Sequence, residues 1–115
     1  MANLLCYTMK AFTYIVTNPK KTTLYTGVTN DLRRRIVEHY LNRGSSNTFA
    51  GKYYCYLLVW YESFPTMNEA IQAEKRIKGK SRKWKEDLIN QRNSKWNSLN
   101  KNILGEWPPN KTLPN

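Results

Sequence analysis

A carboxylate set among apolar neighbours is the residue of this chain that most needs a chemical explanation. In a helical projection of residues 66–78, Glu74 falls between Ile71 and Ile77, inside the apolar side they form with Met67, Ala70 and Ala73. Desolvating a lone carboxylate costs on the order of several kcal/mol, so a group held there needs a partner. It can pair with a nearby Lys or Arg at the edge of the core, reach outward to water, or hold a metal ion or a proton at the mouth of a cleft. Tyr14 and Tyr25 sit in two β-prone runs; strand tyrosines commonly just pack, yet each hydroxyl can also move a proton. Arg35 and His39 are four residues apart, which puts them on one side of a helix, either as a solvated edge or as a pair facing an anion.

The inventory excludes several chemistries. His39 is the single histidine, so no multi-histidine metal cage is available. No Ser-His-Asp arrangement and no phosphate-cradling glycine loop is present. The eight acids (Asp31, Glu38, Glu62, Glu69, Glu74, Glu86, Asp87 and Glu106) show no obvious cluster. A two-metal site generally needs several convergent carboxylates, so one metal is the more economical expectation. Cys6 and Cys55 lack metal-ligand spacing and read as reduced thiols, Cys55 as a small hydrophobe. Nineteen Lys and Arg give a formal charge of +11 over 115 residues, a field that attracts a polyanion. Nucleic acid is therefore the expected partner, ahead of an anionic membrane or a merely basic surface; DNA is expected before RNA, a preference that charge itself does not give. No apolar run approaches the ~20 residues that cross a bilayer. Met1 to Thr8 is too short for a signal peptide, and a cytoplasmic location is expected.

Elements must bring the reactive groups together. Residues 10–17 and 22–28 are rich in aromatic and β-branched types and flank Asn18-Pro19-Lys20-Lys21, which predicts a hairpin with a four-residue loop. If Thr17 faces Thr22, Tyr14 lies opposite Tyr25, their Cβ atoms roughly 5 Å apart on one face. A helix is expected over residues 31–42, capped by Thr29, Asn30 or Asp31, with Leu32, Ile36 and Tyr40 inward and Arg35 and His39 flanking them. Residues 42–52 read as a polar loop, and the run YYCYLLVWYESF as a third, largely buried strand. Thr66 to Glu69 is a capping box that opens the helix of Glu74. Gly79 ends it, Ser81 caps another, and Trp84, Leu88 and Ile89 give that last helix its buried face. Residues 10–99 are expected to form one domain between an N-terminal extension, 1–9, and an irregular tail, 100–115.

In this order the residues resemble the GIY-YIG nuclease superfamily, and most of all its small stand-alone members, which are related to the nuclease domain of the bacterial repair excinuclease. The run FTYIVTNPKKTTLYTGVTNDLRRRIVEH carries both halves of the signature and the following helix, and NEAIQAEKRIKG carries the acidic motif. Phe12-Thr13 stands where the family name has Gly-Ile, and Thr26 where it has Ile. The resemblance implies an α+β fold, a three-stranded antiparallel sheet flanked by about three main helices. It implies a phosphodiester hydrolase in which Glu74 holds one Mg2+ or Mn2+, Arg35 contacts the phosphate, and Tyr14, Tyr25 and His39 handle the proton, with Tyr14 the first choice of base. Gly27 and Asn93 enter as supporting positions, and Arg33 and Arg34 as contacts to nucleic acid. The rival expectation is a non-catalytic nucleic-acid-binding module on the same scaffold. A third is a protein that works only through a protein partner, for which exposed Trp96 and Trp107 would be the hint. Monomer and weak dimer both remain open.

Overall fold

A computed structural model describes residues 10–109. The three β-prone runs form one antiparallel sheet. Strand β1 (Ala11–Thr17) lies between β2 (Leu24–Thr29) and β3 (Leu57–Phe64). As the central strand, β1 is covered on both faces, which is why it is nearly all buried rather than alternating. Helix α1 (Leu32–Leu41) covers the face of Tyr14 and Val16. Helix α3 (Met67–Lys78) covers the face of Thr13 and Ile15. Helix α4 (Arg82–Arg92) packs on β3, while α2 (Phe49–Lys52) and α5 (Asn100–Leu104) are short. The expected α+β architecture is present as one compact unit.

Caps fall where local chemistry asks for them. Asp31 accepts from the Arg34 N–H, Thr66 from Glu69 and Ser81 from Trp84, each satisfying a first-turn donor that has no partner within its helix. A buried hydroxyl adds a tie unseen in the sequence: Thr13 Oγ1 donates to the Ala70 carbonyl at 2.7 Å, fixing α3 to the central strand.

Several expectations are corrected. The hairpin loop spans residues 18–23, because Asn18 closes the turn with its side chain: Oδ1 accepts from the Thr22 and Thr23 N–H groups at 2.8 and 2.9 Å. Thr17 therefore pairs with Leu24, and Tyr14 lies opposite Gly27 while Tyr25 lies opposite Val16. The slip is two residues, so both tyrosines keep a common face. The stretch read as loop contains α2, capped by Thr48. Strand β3 starts at Leu57, after Tyr54 turns the chain at φ 59°. Met67 and Trp84 are exposed rather than inward. Trp96 and Trp107 are not free surface: they pack against the two halves of the core.

The tail is also more ordered than expected. Asn100 is fully buried, its Oδ1 accepting from the Leu58 N–H at 2.7 Å and its Nδ2 donating to the Tyr56 carbonyl at 2.9 Å. The proposed extension at 1–9, with Cys6, and the last residues, 110–115, lie outside the described residues. Cys55 is buried, and burial pushes its thiol up to about 11, as suits an inert small hydrophobe. No helix among the described residues is long and apolar enough to cross a membrane.

Candidate active site

Tyr14 sits at the middle of the central strand with no exposed surface. Its ring passes over the backbone of Gly27 on β2. A Cβ at Gly27 would lie 2.9 Å from Tyr14 Cε2 and collide with the hydroxyl end, so the absence of a side chain makes room for the phenol. The hydroxyl is 2.7 Å from Nε2 of His39, one helical turn past Arg35 on α1. The two rings meet edge to face at 5.6 Å, and the ring of Tyr25 meets the same imidazole at 5.7 Å and 68°. Both strand tyrosines thus converge on one histidine.

Charge at this cluster follows from burial. Tyr14 is pushed well above the ordinary phenol range by desolvation, which the neighbouring Arg35 guanidinium only partly offsets. His39 is lowered to about 4, first by burial and then by the same cation, so its imidazole is neutral near pH 7. Burial also works against the charge of Arg35, but interactions with Tyr14 and then Glu38 leave its pKa above the ordinary value, and a guanidinium stays protonated near pH 7 in any case. Arg35 Nε pairs with Glu38 Oε1 at 3.1 Å at the open side of the cluster.

Glu74 belongs to α3, on the opposite face of the sheet, with 15% of its side chain exposed. Of the readings open to it, the ion pair is the one observed: Lys78 Nζ lies 2.9 Å from Oε2. The same ammonium lies 5.4 Å from the centre of the Tyr25 ring. Tyr25 packs with the α1-side core and α3 lies across the sheet, so Lys78 reaches Tyr25 around the outer edge of β2. Glu74, Lys78 and Tyr25 therefore meet where that edge brings the two faces together. Lys78 was not singled out from the sequence, although its position four residues after Glu74 was the available signal.

The remaining candidates separate. Arg34 is exposed, and its guanidinium has no partner among the described residues. Arg33 is tied instead to the Ile103 carbonyl, where it closes the last turn of α5. Asn93 spends its amide on the Val59 and Asn97 carbonyls at 3.0 and 2.9 Å, which locks the end of α4 to β3. Arg33 and Asn93 are thus held by structural duties. Phe49, hidden in the supposed loop, stacks on Tyr25 at 6.2 Å and 26°.

No group of three or more His, Cys, Asp or Glu among the described residues forms a metal cluster. The donor set fits one hard dication held by the Glu74 carboxylate, with water and substrate oxygens as its other ligands, as Mg2+ and Mn2+ accept. It does not fit an all-protein cage.

Comparison with known proteins points to one family. The family described as the GIY-YIG catalytic domain matches residues 10–87. A UPF0213 protein of Bacillus velezensis is 42% identical over 69 residues, 60% of this chain and 68% of that protein. The UPF0213 protein YazA of Bacillus subtilis is 40% identical over 85 residues, 73% of this chain and 83% of the relative. The solution NMR structure of a UPF0213 protein from Bacillus halodurans superposes with a TM-score of 0.50 at 30% identity, covering 81% of this chain and 96% of that one.

Proposed function

Since this chain belongs to the GIY-YIG family, alongside the small UPF0213 proteins, we propose that it is a metal-dependent endonuclease that hydrolyses nucleic-acid phosphodiesters, DNA before RNA, with one Mg2+ or Mn2+. The observation that carries this reading is the 2.7 Å contact between Tyr14 and a neutral His39, beside a guanidinium that stays charged.

Hydrolysis needs a proton acceptor for the attacking water and positive charge against the phosphate. A free phenolate at Tyr14 is ruled out near neutrality, because burial favours the neutral phenol. Tyr14 can still accept a proton if it passes its own to His39 in the same step. In the Nδ1–H tautomer the phenol donates to Nε2, and that lone pair is the acceptor. A phosphate anion drawn to Arg35 offsets the charge that depresses His39, so the relay becomes easier once substrate is bound. Arg35 itself presents a planar fork to two non-bridging oxygens. Tyr25, edge-on to the imidazole, holds that ring in line. A bound dication would supply charge stabilisation for the phosphate and the leaving 3′ oxygen. Lys78 competes for the Glu74 carboxylate: its half-exposed ammonium can turn to water when a dication takes its place, while the largely buried carboxylate stays paired throughout.

A second reading, a nucleic-acid-binding module without catalysis, is favoured by that same Glu74–Lys78 pair, which already neutralises the carboxylate. Nicking of plasmid and of DNA and RNA oligonucleotides, with and without Mg2+ or Mn2+, separates the two. We expect metal-stimulated cleavage that Glu74→Gln lowers about a hundredfold or more, with substrate binding kept. Undiminished cleavage by that variant would sink the metal role. Absence of any metal-stimulated cleavage by the unaltered chain would leave the binding module.

A further inference from the structure

Exposed aromatic surface is concentrated beside the site. Of the large hydrophobic side chains left open among the described residues, Phe49 is 51% exposed, Tyr53 41% and Tyr54 49%, all within or just after α2. This segment does not need those rings to hold it down. Ala50 and Cys55 anchor it at 4% and 1% exposure, and Thr48 caps it. Phe49 and Tyr53 are four residues apart and share the outward face of the turn, their ring centres 4.8 Å apart. Phe49 in turn stacks on Tyr25, which meets His39. A continuous row of rings therefore runs from the Tyr14–His39 cluster to the surface. At its outer end the Lys52 ammonium lies 5.4 Å from the Tyr53 ring centre, on a chain of formal charge +11.

We propose that Phe49 and Tyr53 form a stacking platform for unpaired bases of a nucleic-acid strand whose phosphate enters the site at Arg35, an inference that rests on the nuclease reading and names its substrate class. Aromatic faces interleaved with cations are what single strands bind, because every unpaired base offers a π-face and every linkage a phosphate. Base pairs in an intact duplex hide those faces, so the platform selects single strands and flipped or frayed nucleotides. DNA and RNA share this chemistry. A protein partner is the less favoured occupant, since the row leads into a cationic site rather than to an apolar patch with a polar rim.

The test is equilibrium binding in EDTA, which separates recognition from hydrolysis. Fluorescence anisotropy is followed for a short single-stranded DNA, the matching RNA and the DNA duplex, with 2-aminopurine in the single strands to report stacking. We expect Phe49→Ala with Tyr53→Ala to weaken single-strand binding about tenfold or more. The 2-aminopurine response should vanish, and duplex binding should change less than about threefold. Phe49→Trp should restore both signals, and unchanged thermal unfolding of the alanine variant excludes misfolding as the cause. A loss confined to DNA or to RNA identifies which strand the platform serves. Equal losses on single strand and duplex, no loss on either, or no strand binding by the unaltered chain would each overturn the platform. So would a homodimer that the double variant dissociates while strand binding is untouched. Failure of the nuclease reading shows separately, as absent metal-stimulated cleavage with the platform signal intact.

Discussion

His39 carries the most specific consequence at the scale of a single residue. Its ordinary pKa of about 6.5 falls to about 4 on folding because the ring is desolvated beside Arg35. The unfolded chain therefore binds the proton more readily. Stability owed to the neutral imidazole is full above about pH 6.5, declines as pH falls toward 4, and levels off below. If neutral His39 accepts the Tyr14 proton, the acid limb of kcat/KM for metal-stimulated cleavage, which reports the free protein, should lie near pH 4 rather than 6.5. The His39 ring resonances followed by NMR should titrate at the same point. A midpoint near 6.5 in both would mean that the ring is solvated and the relay is absent. None of this was legible from spacing, which placed His39 beside Arg35 but could not say that Tyr14 and Tyr25 close over it from the sheet.

At the scale of elements, capping and pattern were the readable part. Asp31, Thr66 and Ser81 open their helices where short polar side chains precede apolar periodicity. Register was less legible, since Asn18 adds turn bonds that strand propensity does not encode. The two-residue slip nonetheless kept the tyrosines together, because faces repeat every second residue. The C-terminal segment was misread for a related reason. Asn100 looks like an ordinary polar residue, yet its carboxamide takes the place of a missing strand, serving Leu58 on β3 and Tyr56 just before it, while the Leu99 N–H donates to the Leu58 carbonyl at 2.8 Å. Asn100→Ala leaves a buried donor and a carbonyl without partners, so we expect a loss of about 2–3 kcal/mol in urea unfolding. A loss within about 0.5 kcal/mol, the range of ordinary surface substitutions, would show that water replaces the amide freely.

Charge is the property of the whole molecule. A chain of formal charge +11 should bind polyanions with steep salt dependence, because each phosphate contact releases condensed counterions. Arg34 is exposed and unpartnered among the described residues, whereas Arg33 is committed to Ile103. Arg34→Ala should therefore lower the slope of log K against log salt by about one and weaken all sequences alike. Arg33→Ala should act mainly on folding. Matching slope changes in both variants would mean that Arg33 leaves its carbonyl for the phosphates.

Asn100 and Leu99 seal one margin of the sheet, whereas β2 on the other side ends in backbone that pairs with no further strand among the described residues. A polypeptide recruited as a fourth strand finds unpaired backbone along that margin. Lying beside Tyr25, it would crowd the Lys78 ammonium that links that ring to Glu74. Edge pairing at β2 and the Lys78–Tyr25 contact thus compete for a single ledge.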